Sequence, residues 1–503
     1  MNPILFAKPY PGATTCILIG GLGGGELSDL GEMQGMLWIV ASEDAQPVPR
    51  SLAHGTVEIV PPDRPAAEIQ RVVERFVART PRHLPSLYCT RGTLGRQAAL
   101  YEAAASGVFA VLEQQHRARI TREKDGFTWQ RHLLQNLPAF LGRRIPGSWQ
   151  GALAGLPAFV CGAGPSLDVT APRLAAAAGT GVVFAADSAL RTLAKHGVAA
   201  DFVVSVDAAK QPQKCIPDGF IPARVALASI SPPTWLDAAG RGRCLFLSGN
   251  QITEDWLCGC GVRRSAATVQ ENCGSTALSL ARFLGCAPIY LFGLDLAVDA
   301  SKPAQRHAVA ADSALYVASG YNPDQAMPLV SGNYEERVPT FALGDWRALD
   351  ARLAGWPAGL VFNVTDRGAR FRNTILVAPG DFAVEGSAKA DRLERLPQPE
   401  AAAPEIAGAA MERLCAVGDC VGSLHNQLQE ALAGARFDQV VGILRKFLAS
   451  DERARLMGGF SFRLMPHLLP PLETDATLWR NIVGEFEELG CVARAVGSAS
   501  RNP

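Results

Sequence analysis

Residues 159–168, with the sequence FVCGAGPSLD, constrain the fold of this chain more than any other segment. An apolar strand runs into a turn that contains Gly162, Gly164 and Pro165, and a polar helix start follows at Ser166. Glycine lets the backbone adopt positive φ and come close to a ligand, and the free N–H groups at a helix start attract anions. The pattern predicts either a phosphate-binding loop or a tight strand–helix turn capped by Ser166, and we favour the loop.

Short apolar strands alternate with helices through the middle of the chain. These strands lack the alternation of polar and apolar residues that marks a sheet with one solvated face. Strand–helix alternation of this kind predicts a doubly wound α/β domain, Rossmann-like, with a parallel sheet covered on both faces. We place this domain at 146–382, with strands at 158–161, 182–186, 202–206, 225–230, 244–248, 289–292 and 360–364.

Two regions flank the central domain. Residues 1–145 predict a smaller α/β domain with strands at 15–19 and 37–41, a glycine cluster at 20–25 and a helical extension at 94–141. The cluster misses the dinucleotide-binding spacing because Glu26 stands at the third glycine position, which favours a tight turn. The stretch 383–406, rich in Ala, Pro and charge, predicts a linker, and the helical spacing of apolar residues beyond it predicts a helical domain at 407–503.

The composition excludes several classes of function. Lys and Arg together number 48, as do Asp and Glu, so the chain lacks the basic surplus of a nucleic-acid-binding protein. The uncharged run 145–167 is long enough to cross a bilayer, but its three prolines and five glycines favour loop and strand over a membrane span. The absence of a signal-peptide pattern and the scattered cysteines, which indicate buried thiols, predict a cytoplasmic protein.

Polar residues follow several predicted strands, at the edge where ligands of open α/β sheets bind. Asp187 and Ser188 follow the strand 182–186, and Asp207 closes the strand 202–206. The two carboxylates can hold a ribose, a Mg²⁺ ion or a base, or they can simply form turns. With the glycine loop beside them, we favour a role in ligand binding.

A second polar segment opens the predicted helix 277–284. Asn272, Gly274, Ser275 and Thr276 offer amide, hydroxyl and backbone N–H groups to an anion at the helix N-terminus. Ordinary capping of the helix is the alternative, and the spacing alone does not exclude it.

Four further positions complete the set. Asp295 follows the strand 289–292, and His307 lies in a polar loop downstream, where its ordinary pKa suits a general base, although a loop histidine is more often simply solvated. Asn363 and Thr365, in the segment NVTDRGA, favour the far wall of a ligand cleft. The sequon Asn-Val-Thr matters only on a secretory route.

These segments, in this order, resemble the motility-associated factor (Maf) family of flagellin glycosyltransferases. The same central domain is shared with the archaeal 6-hydroxymethylpterin diphosphokinases and is more remotely similar to bacterial sialyltransferases that use CMP-sialic acid. The resemblance rests on LQNLP at 134–138, CGAGPSLD at 161–168, AADSALRTLAKHGVAADFVVSVD at 185–207, GSTALSLARFLGCAPIYLFGLDLA at 274–297, RHA at 306–308 and FNVTDRGARF at 362–371.

The resemblance implies a transferase that takes a nonulosonic acid, such as pseudaminic or legionaminic acid, from a CMP-sugar to Ser or Thr of flagellin. It implies that His307 accepts the proton of the acceptor hydroxyl and that Asp295 supports the site. The nucleotide would lie against Gly162, Gly164, Ser166, Gly274, Ser275 and Thr276.

Two positions depart from the sialyltransferases, which tend to carry asparagines where this chain has Asp187 and Asp207. Carboxylates repel a phosphate unless a cation intervenes, so this departure favours the diphosphokinase relatives, which use Mg²⁺ and ATP. No cofactor is therefore implied with certainty, and Mg²⁺ is an option. Three functions stay open: the glycosyltransferase, a pterin diphosphokinase, and a flagellin-binding assembly factor without catalytic activity.

Overall fold

The computed structural model describes residues 4–8, 13–21, 33–42, 44, 56–78, 84–95, 97–299, 301–302, 304–311, 327–384, 389–468 and 472–499. The chain divides into two compact units. The first comprises Met1–Gly126 and Ser461–Asp475, and the second Phe127–Phe460 and Ala476–Pro503. The finer division at residues 145, 382 and 406 stays a prediction.

The first unit contains a five-stranded sheet. Its strands are β1 (Ile4–Lys8), β2 (Thr15–Ile19), β3 (Gly35–Ile39), β4 (Thr56–Val60) and β5 (Ser86–Thr90), in the order β1-β5-β2-β3-β4. Only β1 runs antiparallel to its neighbour. The helices are α1 (Ala66–Ala78) and the first part of α2 (Ala98–Gly142). This confirms the small α/β fold, with β3 beginning two residues before the predicted strand 37–41; most of the glycine cluster, from residue 22 on, lies outside the described residues.

The second unit is built on a parallel sheet, as predicted, and in the described residues this sheet has eight strands where seven were predicted. They are β6 (Ala158–Cys161), β7 (Val182–Ala186), β8 (Phe202–Ser205), β9 (Val225–Leu227), β10 (Cys244–Phe246), β11 (Ile289–Phe292), β14 (Val361–Val364) and β15 (Thr374–Val377). Their order is β10-β9-β8-β7-β6-β11-β14-β15, and every neighbouring pair is parallel. Two short strands, β12 (Leu329–Ser331) and β13 (Arg337–Pro339), form a separate antiparallel pair.

Helices cover both faces of this sheet, which explains why its strands are apolar throughout. On one face, Ala158 and Val160 share a buried cluster with Ala277 of α8. On the other face, the ring of Phe159 packs edge-on against Phe292 and Phe382. The helices are α3 (Leu167–Ala177), α4 (Leu190–Lys195), α5 (Pro212–Cys215), α6 (Thr234–Ala239), α7 (Ile252–Gly259), α8 (Cys273–Phe283), α9 (Leu343–Ala354) and α10 (Ala390–Glu394).

The described residues beyond 403 are mostly helical, as the apolar spacing predicts. The helices are α11 (Pro404–Ala433), α12 (Phe437–Leu448), α13 (Asp451–Leu456), α14 (Gly458–Leu464) and α15 (Ala476–Ala499). Glycine makes a close α11–α15 packing possible, since a Cβ at Gly490 would lie 2.5 Å from the side chain of Val421. Within the described part of the chain, no helix has both the length and the apolar character needed to cross a membrane.

Candidate functional site

The strand order of the second unit places a crevice between β6 and β11. The chain moves outward from β6 toward β10 and then returns to add β11, β14 and β15 on the other side. In open α/β sheets such a reversal opens a crevice at the carboxyl ends of the two central strands, where ligands bind. The glycine loop 162–166 follows β6, and Gly293–Asp295 follows β11, so both predicted segments lie at this crevice.

The glycines of these two loops are required by the contact between the loops themselves. Gly162 N–H donates to the carbonyl of Phe292 at 2.8 Å, and Gly164 N–H donates to the carbonyl of Gly293 at 2.7 Å. A Cβ on Gly162 would lie 3.0 Å from the Gly293 carbonyl carbon and closer still to its oxygen, while Gly293 has φ of +60°. Both amides are thus already paired within the protein, and contact of this loop with a donor stays a prediction.

Asp295 holds the glycine loop in place through its side chain. Its Oδ2 accepts the N–H of Ser166 at 2.8 Å and its Oδ1 accepts the Ser166 hydroxyl at 2.5 Å. Ser166 therefore does not cap α3 with its side chain, which was one of the two roles that the sequence allowed. The Asp295 carbonyl also accepts the N–H of Ala369 at 2.8 Å, so one residue connects the loops that follow β6, β11 and β14.

Burial dominates the ionisation of Asp295. The side chain is 4% exposed, and desolvation raises the pKa of Asp295 to about 6, against the opposing effect of the two Ser166 hydrogen bonds. A buried carboxylate that accepts two bonds from one neighbour holds that neighbour in place. In this structure Asp295 is thus a positioning residue for the glycine loop.

Replacing Ser166 by alanine is expected to destabilise the second unit by about 1.5–3 kcal/mol, because a hydroxyl bond to a charged group is lost. The hydroxyl favours the ionised carboxyl, so the pKa of Asp295 should rise further, and the loss should be larger at pH 7.5 than at pH 5. Urea unfolding at the two pH values measures it. Ser423→Ala, which removes an exposed hydroxyl bonded to a backbone carbonyl, is the control; equal losses in the two variants would contradict the assignment.

The start of α8 is stabilised by ordinary helix capping, which was the alternative to anion binding in the sequence analysis. Asn272 Oδ1 accepts the N–H of Ser275 at 2.8 Å, and its Nδ2 donates to Asp345 Oδ2 at 2.9 Å. The Thr276 hydroxyl donates to the Asn272 carbonyl at 2.8 Å. The helix consequently begins at Cys273, four residues before the predicted start. Gly274 lies against the β11 loop, where a Cβ would be 2.5 Å from Leu294 Cδ1.

Asp187 lies at the carboxyl end of β7 and is completely buried. Its Oδ1 accepts the Ser188 N–H at 2.6 Å and the Ser188 hydroxyl at 2.9 Å. Its Oδ2 accepts the Ser205 hydroxyl at 2.7 Å and the Cys273 thiol at 3.6 Å, the latter from the first turn of α8. Asp187 therefore joins the ends of β7 and β8 to α8.

The carboxylates of Asp187 and Asp207 do not fit a Mg²⁺ site as they are arranged. Mg²⁺ needs several oxygens that can turn toward it in near-octahedral geometry. Both oxygens of Asp187 already accept protein hydrogen bonds, and the exposed Asp207 accepts the N–H of Ala209 at 2.8 Å. Across the described ranges, no three His, Cys, Asp or Glu side chains come together as a possible metal site.

His307 is half-buried and is tied to the glycine loop through its neighbour. Ala308 N–H donates to the carbonyl of Ala163 at 2.8 Å, and Val309 N–H donates to Asp168 Oδ2 at 2.9 Å. Burial, followed by the positive charges of Lys210 and Arg306, lowers the pKa of His307 to about 4. The imidazole is therefore neutral at pH 7, the form that can accept a proton.

Asn363 and Thr365 lie at the carboxyl end of β14, next to β11. Asn363 is 3% exposed, which closes the glycosylation sequon to a modifying enzyme. The Thr365 hydroxyl donates to the Arg367 carbonyl at 2.8 Å and so shapes the turn that leads to Gly368. The backbone of Gly368, with φ of +84°, lies against Asp295, where a Cβ would be 2.9 Å from the Asp295 Cβ.

Two features at the carboxyl edge of the sheet were not predicted from the sequence. One is Lys210, which follows Asp207 in the loop after β8 and whose Nζ donates to the Ser188 hydroxyl at 3.1 Å. The other is a cavity of about 200 Å³ beside Gly368, lined in part by Tyr334 and Arg367. A search for cations, and not only carboxylates, after each strand would have found Lys210. No local pattern marks the cavity, because its walls come from distant segments.

The chain is similar to two kinds of known protein. Residues 131–301 match the family model described as 6-hydroxymethylpterin diphosphokinase MptE-like. The solved structure of the Maf glycosyltransferase from Magnetospirillum magneticum AMB-1 matches with a TM-score of 0.58 and 16% identity, over 97% of this chain and 80% of that one. No curated protein matches the chain significantly. At this identity the likeness shows the fold, and at that level it confirms the resemblance carried by the sequence motifs: the chain has the fold of a Maf glycosyltransferase, with an MptE-like segment in its second unit.

Proposed function

We propose that this protein is a glycosyltransferase that moves a nonulosonic acid of the pseudaminic or legionaminic type from a CMP-sugar to Ser or Thr hydroxyls of flagellin. The observation that carries the proposal is the place of His307, which is half-buried and joined through Ala308 to the glycine loop at the crevice between β6 and β11. The fold likeness to a Maf glycosyltransferase over 97% of the chain supports the choice of reaction. We assign the reaction to the cytoplasm.

In this proposal the donor lies in the crevice between the loops after β6 and β11. The bond between the anomeric carbon and the phosphate oxygen breaks, and its electron pair stays with CMP. The acceptor oxygen bonds to the anomeric carbon, and its proton passes to the neutral imidazole of His307. The reaction requires a cation or a hydrogen-bond donor that stabilises the charge developing on the departing phosphate. Recognition of the protein acceptor is assigned to the flanking segments 1–145 and 407–503.

The intact mass of flagellin tests this function. Flagellin co-expressed with this protein and a nonulosonic-acid pathway is expected to gain mass in steps of one sugar residue, while flagellin expressed with the pathway alone keeps its mass. Flagellin that co-purifies with the protein at unchanged mass would instead identify an assembly factor. The experiment thus separates catalysis from binding.

The MptE-like match favours a second candidate, a Mg²⁺- and ATP-dependent diphosphokinase. That reaction needs a site for Mg²⁺, and neither oxygen of Asp187 is open to one in this arrangement. Calorimetry with CMP, CTP and Mg-ATP distinguishes the candidates. Tight binding of ATP that depends on Mg²⁺, without binding of CMP, would replace the glycosyltransferase by the kinase.

A further inference from the structure

Lys210 is held at the carboxyl edge of the sheet by its own backbone. The loop after β8 is closed by Lys210 N–H, which donates to the Asp207 carbonyl at 3.2 Å. The Lys210 carbonyl accepts the indole N–H of Trp235 at 2.8 Å, and Trp235 is completely buried. A half-buried lysine anchored in this way presents its ammonium at a defined place.

The ammonium lies where three structural elements meet. Its Nζ donates to the hydroxyl of Ser188, just after β7, and Ser188 in turn donates to Asp187. Asp187 also accepts the thiol of Cys273 at the start of α8. Lys210 is thus linked through two residues to the N-terminus of α8, whose partial positive charge adds to its own.

The same ammonium is near the proposed base. Its charge contributes to the lowered pKa of His307 and also acts on the Cys273 thiol. A cation, a helix N-terminus and a neutral imidazole therefore lie along the same carboxyl edge of the sheet. The carboxylates of Asp187 and Asp207 lie nearby, and an anionic ligand needs a positive charge to offset them.

We propose that Lys210 binds the phosphate of the CMP donor. Its positive charge offsets the negative charges of Asp187 and Asp207 at this edge of the sheet. This inference rests on the proposed function. The donor is a phosphate diester with one negative charge, and CMP leaves as a monoester with a second. When the glycosidic bond to phosphate breaks, the electron pair moves onto the oxygen that Lys210 faces, so the ammonium interacts more strongly with product charge than with the intact donor.

Calorimetric titration of CMP and of cytidine tests the proposal on the full chain. Lys210→Met should weaken CMP binding by at least about tenfold, because a hydrogen bond to a charged group is lost. Binding of cytidine, which has no phosphate, should stay at the wild-type level, and this also verifies that the variant folds. Lys210→Arg keeps the charge and should retain most of the affinity for CMP.

Lys214→Met is the matched control, since Lys214 is an exposed lysine at the next helix and the charge change is identical. It should bind CMP as the wild type does. Equal CMP affinities for Lys210→Met and the wild type would overturn the role of Lys210 and leave the transferase standing. A wild-type chain that binds neither CMP nor cytidine would overturn the proposed function together with this inference.

Discussion

The variant His307→Gln is expected to lose sugar transfer by a factor of about 10²–10⁴ in kcat, the contribution typical of a positioned general base. Glutamine keeps a polar side chain of similar reach but cannot accept the proton. Affinity for CMP should not change, because the imidazole acts on the acceptor and not on the nucleotide. Transfer is measured with purified protein, CMP-sugar and flagellin. The control is His196→Gln, which changes a histidine at the far end of α4, away from the crevice; undiminished transfer by His307→Gln would remove the base assignment.

The pH dependence adds an independent readout of the same residue. Only the neutral imidazole accepts a proton, and the pKa of His307 is lowered to about 4 by burial and by the charges of Lys210 and Arg306. Protonation of His307 should therefore lower kcat/KM, which reports the free enzyme, only below about pH 5. A fall near pH 6 is expected from protonation of Asp295, which holds the glycine loop. A bound phosphate near Lys210 favours the imidazolium, so the loss from His307 should occur at a higher pH in kcat than in kcat/KM. A His307 imidazole that titrates near pH 6.5, followed by NMR, would contradict this environment.

The variant Gly162→Ala is expected to lower the free energy of unfolding by about 1–3 kcal/mol or more and to abolish transfer. The added Cβ would press on the backbone carbonyl of Gly293, which cannot rotate away as a side chain does. Separating the two loops also breaks the bond from Gly162 N–H to Phe292. Urea unfolding and CMP titration measure the two losses.

Gly179→Ala is the matched control for this change. Gly179 lies in the same unit, without positive φ and with open space where its Cβ would stand. Its stability should stay within about 0.5 kcal/mol of the wild type. If Gly162→Ala were as stable and as active as Gly179→Ala, the two loops would have to be farther apart than this structure places them.

The sheet could be predicted from sequence because buried parallel strands leave a strong signal. Runs such as 158–161 and 289–292 are apolar on both faces, and glycine or aspartate follows them at once. The short strands β12, β13 and β15 gave no such signal, since each is only partly buried. In the first unit, β1, β4 and β5 were not predicted from the sequence.

The sequence placed the candidate residues after neighbouring strands, where the structure also has them, but it did not show the hydrogen-bond partners of these residues. Nothing near Ser166 indicates that its hydroxyl bonds to a carboxylate 129 positions away. The sequence suggested that the carboxylate of Asp187 was available to a ligand. Its position after a strand cannot show that Ser205 and Cys273 donate hydrogen bonds to that carboxylate. Sequence spacing orders groups along an edge, whereas tertiary packing decides which of them stay available to a ligand.

The junction at Asp295 has a consequence for selectivity. One buried residue connects the turns that follow three adjacent strands, through its carboxylate and its backbone carbonyl, so the walls of the crevice are set before any ligand arrives. In a preformed cleft, little of the binding free energy is lost to ordering the site when the ligand binds. The same rigidity prevents the cleft from reshaping around a sugar of different outline, so the proposed transferase should be strict toward the stereochemistry of its sugar donor.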